Sequence, residues 1–155
     1  MSGLRSATLA VLVALSTGCL TNDAEEFGEQ LFQQNLALWE AEGPANYSFN
    51  VARGACCGWP SSTIRVVVEN GVAVSRTYVS TGDPLEQQYV PEYPTLRGLF
   101  DIATAARAQK PVLSSLQYDP TYGFISFMQF DINGTTNTDN FAYSVSEFEP
   151  TPEPE

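Results

Sequence analysis

Cys56 and Cys57 stand side by side in the stretch GACCGWP, residues 54–60, and the chain has one other cysteine, Cys19. Two adjacent thiols can close a vicinal disulfide, remain as small buried side chains, or serve as a redox or metal centre. Consecutive Cα atoms lie about 3.8 Å apart across a trans peptide, whereas disulfides favour about 4.4–6.8 Å. The ring closed by neighbours therefore distorts its peptide, and that strain makes the bond easier to reduce. A redox role lacks the Cys-x-x-Cys spacing and has Arg53 as its one basic neighbour. Two thiolates without histidine make an incomplete zinc site. A loop-bracing disulfide and a pair of free thiols both stay open at this point.

The remaining chemistry is narrowed by what the chain lacks. It has no histidine, which removes Ser-His-Asp and Cys-His hydrolysis and any zinc site that draws on imidazole. Residues 131–140, DINGTTNTDN, gather the oxygen donors Asp131, Asn133, Asn137 and Asp139. An EF-hand loop needs glycine sixth and glutamate twelfth; counted from Asp131, glycine is fourth at Gly134 and the twelfth residue is Ala142. A polar hairpin loop accounts for the segment better. Asp119 in YDPTYG reads as a turn former, its carboxylate bonding nearby backbone amides. The expectation is a protein with no catalytic residues, no cofactor and no metal.

The formal charge is −11 and the seven Lys and Arg are scattered singly. Nucleic acid requires a basic footprint, so it is not an expected partner. Hydrophobic residues make up 43% of 155, enough for one domain with a packed core.

Residues 1–18, MSGLRSATLAVLVALSTG, place one cation, Arg5, before an apolar run from Ala7 to Leu15. This layout is an export signal and is too short to span a bilayer as a mature helix. Its end, LSTGC, is similar to a lipoprotein signal, in which a cysteine after small residues is acylated and becomes the first residue. The aliphatic residue, Leu15, sits one place further back than usual. Acylation of Cys19 would anchor the chain to a membrane, each buried methylene contributing about 0.8 kcal/mol. Cys56 and Cys57 would then have no other partner within the chain. Cleavage removes Arg5 alone, leaving six cations against 18 acidic residues, a formal −12. No aspartate follows Cys19, which favours the outer membrane; secretion after cleavage by an ordinary signal peptidase is the alternative.

The elements that must position these residues follow from periodicity. Residues 19–24 read as a tether. Asn22 and Asp23, each three residues before a glutamate, offer capping boxes. Phe27, Leu31, Phe32, Leu36, Leu38 and Trp39 then form a helical stripe that Gly43-Pro44 stops. From Asn46 the period becomes two, and Asn70-Gly71 predicts a tight hairpin. A long loop follows, residues 81–94. Thr95 caps a second helix bearing Leu96, Leu99, Phe100, Ala103 and Ala106, and three strands follow near 112–118, 124–131 and 141–148. The tail from residue 150 alternates proline and glutamate and reads as disordered. The fold expected over residues 25–149 is α+β: one antiparallel sheet of five to six strands with two helices on one face, in the order α-β-β-β-α-β-β-β. A weak αβββ repeat is also suggested.

Leu38-Trp39, Tyr47-Ser48-Phe49, the Cys56-Cys57 loop, IRVVVENGVAVS, LRGLFDIATAA and YDPTYGF follow one another over roughly residues 30–148. In this order they resemble an uncharacterised bacterial family of exported proteins and lipoproteins, the domain of unknown function numbered 6174. Family members commonly separate the two cysteines by one residue, whereas here they touch. The resemblance implies export and the fold, and carries no activity.

Two functions are expected from these features. The first is a lipid-anchored envelope protein, its domain on the periplasmic side, that binds a protein or another envelope component without catalysis. Its contact surface would be the sheet face away from the helices, with Tyr78, Tyr118 and Tyr122 contributing. The alternative is a small enzyme or inhibitor whose site lies between the 81–94 loop and that open face.

Overall fold

Two helix boundaries are set by single residues. Gly43 ends the first helix, its N–H donating to Trp39 O at 2.8 Å; Thr95 opens the second, its Oγ1 accepting from Gly98 N at 3.1 Å. The computed structural model describes residues 20–55, 62–134 and 140–152. Its elements are α1 (Leu20–Glu42), β1 (Tyr47–Ala55), β2 (Thr63–Glu69), β3 (Val72–Tyr78), α2 (Leu96–Ala108), β4 (Leu113–Tyr118), β5 (Ile125–Asp131) and β6 (Asn140–Pro150), with a 3-10 turn at Gln87–Glu92. This is the expected α+β order. Two boundaries differ from the reading of the sequence. α1 begins at Leu20, so Asn22 and Asp23 lie within it and residues 20–24 are helix rather than tether. Pro150 still pairs with Tyr47, and Thr151 N donates to Asn46 O at 2.9 Å. The strand thus runs into the tail.

All six strands form one antiparallel sheet in the order β3-β2-β1-β6-β5-β4. The Asn70-Gly71 turn joins β2 to β3 with φ of 50° and 76°, the positive pair that a two-residue hairpin needs. Each half of the chain is a meander, yet the central strand is the first of its half in β1 and the last in β6. The two halves therefore do not repeat one another in chain order.

One face of the sheet carries the core. Tyr47, Phe49 and Val51 of β1 lie opposite Val68, Val66 and Ile64 of β2, all buried. Met128, Phe130 and Tyr143 continue this layer across β5 and β6, and Phe32, Trp39, Leu99 and Phe100 cover it from the helices. The helices lie antiparallel to each other: Arg97 at the start of α2 meets Glu40, and Arg107 near its end meets Glu29. Burial of apolar side chains on this one face supplies the main driving force.

Candidate functional site

No described helix lies over the opposite face, and a cluster of polar side chains occupies its centre. Asn50 of β1 lies across from Arg65 of β2 and from Ser146 of β6. Between Ser48 and Asn50 the β1–β6 register shifts, and in this bulge Glu147 adopts a φ of +48°. A left-handed conformation is unfavourable for a residue with a Cβ; here it aims the carboxylate at Asn50, whose Nδ2 donates to Glu147 Oε2 at 2.7 Å. Arg65 Nη2 donates to Ser48 Oγ at 2.8 Å and to Glu149 Oε2 at 2.5 Å, and its Nη1 lies 4.0 Å from Glu147 Oε2. Asn50 is only 3% exposed, and its Oδ1 accepts no hydrogen bond from the described residues. The cluster offers carboxylate and amide acceptors around one guanidinium. Such a set can hold a ligand by hydrogen bonds and charge.

Tyr78, Tyr118 and Tyr122 are not on this face. Tyr78 lies opposite buried Ile64 and donates from its hydroxyl to Glu86 Oε2 at 2.6 Å. Tyr118 stacks on Phe100 of α2 with centroids 6.5 Å apart, and Tyr122 meets Phe148 at 5.2 Å. All three belong to the covered layer, because Tyr78 shares the parity of Arg76 and Tyr118 that of Leu116. Among the described strand residues, the aromatic one on the open face is Phe127, between Gln117 and Ser144.

The 81–94 segment is also on the helix side. Thr77 bridges Pro84, and Leu85 N donates to Arg76 O at 2.9 Å. Arg76 Nε donates to Tyr93 O at 2.6 Å, and Tyr143 Oη donates to Glu92 O at 2.9 Å. Leu85 and Tyr93 are buried. Arg53 closes the arrangement, 3.1 Å from a Glu92 carboxylate oxygen and 5.6 Å from the centre of the Tyr143 ring. The segment is a strap that seals the core edge, with the sheet standing between it and the open face.

Cys19, Cys56 and Cys57 lie outside the described residues, as do Asn137 and Asp139. Asp131 Oδ1 accepts from Gly134 N at 2.8 Å, and Asp119 Oδ1 accepts from Thr121 N and Tyr122 N at 2.9 and 2.7 Å. Both carboxylates hold turns. No group of three or more metal-ligating side chains occurs among the described residues, and no helix among them is long and apolar enough to cross a membrane. Sequence reasoning missed Asn50 and Glu147, since only the bulge brings them together.

Burial pushes the phenols of Tyr47 and Tyr143 up to about 12. The unfolded chain loses these protons near pH 10 while the folded chain keeps them, so stability falls as pH rises from about 10 towards 12. Alkaline titration followed by phenolate absorbance and circular dichroism should show these two tyrosines ionising only as the fold is lost. Their ionisation near pH 10 in an intact fold would contradict the packing described.

The model of a family of unknown function (DUF6174) matches residues 31–150. No curated protein and no solved structure matches the chain.

Proposed function

The chain belongs to the family of unknown function DUF6174, and we propose that it is a bacterial lipoprotein of the cell envelope that binds another envelope component without catalysis. Signal cleavage after Gly18 and acylation of Cys19 anchor it, with the domain on the periplasmic side and the outer membrane as its site. The partner, a protein or another envelope component, meets the open sheet face. The observation that carries the binding role is that face itself: six strands that the described helices cover on one side only, with Ser48, Asn50, Arg65, Glu147 and Glu149 at its centre. A left-handed glutamate and a buried, unpartnered amide oxygen are unfavourable for stability alone, and such departures gather where a protein does its work. Cys56 and Cys57, deprived of Cys19, bond to each other and brace the loop after β1.

Intact-mass spectrometry of the native, membrane-extracted protein tests the anchor and the thiols together. The expected mass is that of residues 19–155 plus acyl chains, less two hydrogens that reductant restores. An unmodified amino terminus with three equivalent thiols would sink the anchoring and the disulfide at once. For the face, a photo-crosslinking residue at Gln129 should capture a partner in the envelope, and Arg65→Glu should abolish capture.

A further inference from the structure

The two edges of the sheet are treated differently. Half of the β3 edge is closed: Thr77 bridges Pro84, and the backbone pairs Tyr78–Asp83 and Leu85–Arg76 continue the cover. β4, with the sequence LSSLQY, has no charge and no proline, and no described segment pairs with its outer side. Such an edge presents a row of N–H and C=O groups to any incoming strand, and proteins ordinarily blunt it with charge, proline or a bulge. Along its helix side runs a groove of about 970 Å³ with Ser114, Leu116 and Tyr118 on one wall and Leu31 and Phe32 on the other.

We propose that β4 pairs antiparallel with β4 of a second copy, joining two six-stranded sheets into one. Three observations select a second copy of this chain as the occupant. The strand is neutral in a chain of formal charge −11, so two copies meet here without like charges opposed across the seam. An antiparallel pair has a two-fold axis perpendicular to the sheet, which makes the edge its own complement and closes the assembly at two. A six-residue strand pair alone falls short of the roughly 1,200–2,000 Å² that stable interfaces bury, and the apolar side chains Leu31, Leu116 and Tyr118 of the groove beside this edge extend the surface a second copy can cover. Leu31 in the groove is 37% exposed, and Leu113 on the strand itself, towards the open face, 45%. The groove's acids, Glu25 and Glu29, stand among the cations Arg107 and Lys110, and Glu29 is paired with Arg107 at 2.7 Å, so the approach meets balanced charge.

The same axis leaves both helix layers on one side of the joined sheet. Both copies of α1 therefore start on that side, and two acylated Cys19 residues enter one bilayer while both open faces look away from it. This orientation rests on the anchoring proposed above; the pairing does not.

Native mass spectrometry of the detergent-extracted protein should show a dimer, and hydrogen exchange of the β4 amides should slow in the dimer relative to diluted monomer. Leu113→Lys with Gln117→Lys, both at exposed positions, places four like charges at the seam and should raise the dimer Kd by about 100-fold or more. Val72→Lys on the opposite edge should change it by less than about twofold. A monomer at all concentrations overturns the proposal. So does a dimer that Val72→Lys breaks and the double variant spares, or a different protein protecting β4. The exchange measurement needs no variant, so it decides the matter even if the double variant misfolds. A dimer with an unmodified Cys19 would retain the pairing and remove only the anchoring.

Discussion

Trp39→Ala is expected to lower the stability of the domain by about 3–5 kcal/mol, the range for removing a buried large aromatic side chain. For a chain of this size that corresponds to a fall in Tm of about 10–20 °C. Trp39 is 6% exposed and its ring meets three others edge-on: Tyr47 at 5.4 Å, Phe124 at 5.9 Å and Phe148 at 6.3 Å. These come from β1, the β4–β5 connection and β6, so one side chain ties α1 to both halves of the sheet. Neighbouring aromatic residues cannot fill the space without leaving their own rotamers, which places the cost at the cavity end of the range rather than the collapsed end. Thermal unfolding followed by near-ultraviolet circular dichroism measures it. A loss under 1 kcal/mol would mean that α1 is not seated as described.

What the residues disclosed in advance is what depends on neighbours in sequence. The Asn70-Gly71 turn, the Thr95 cap, the stop at Gly43 and the Asp119 turn each rest on contacts within a few residues. The six strands and two helices follow from period alone. Facing does not. A strand such as β3 has Arg76 and Tyr78 on the covered side, and alternation cannot tell that a guanidinium is held there by the Tyr93 carbonyl. The 3-10 turn at Gln87–Glu92 has no apolar period, and what fixes it is Tyr93 and Leu85 reaching into a core built from distant strands. The polar cluster was hidden for the same reason. Asn50 and Glu147 are 97 positions apart, and a bulge between β1 and β6 is needed to turn the glutamate towards the asparagine. Their separate sequence contexts, an alternating strand and an acidic tail, both read as ordinary surface.

Gly123→Ala is the second large loss expected, about 2–5 kcal/mol, and it arises from two separate causes. Gly123 ends the Asp119 turn with a φ of +76°, where an L side chain is strained by about 1–2 kcal/mol. A Cβ at this position would also stand 2.6 Å from the Asn35 carbonyl oxygen and 3.0 Å from Leu38 Cβ. Both belong to α1, and a backbone carbonyl inside a helix cannot rotate aside. The helix must move outward instead, at an overpacking cost of about 1–3 kcal/mol. Movement there loosens Trp39, one residue beyond Leu38, and lifts the wall of the groove that Leu31 and Phe32 form above β4. Stability and assembly should therefore fall together in this variant: urea unfolding would show the lower midpoint, and native mass spectrometry a smaller dimer fraction under conditions where the monomer is still folded. Gly71→Ala, at a φ of +76° with nothing within 4 Å, separates the two causes, since it carries the conformational strain alone. Equal losses at the two glycines would show that the close approach of the YDPTYG turn to α1 contributes nothing.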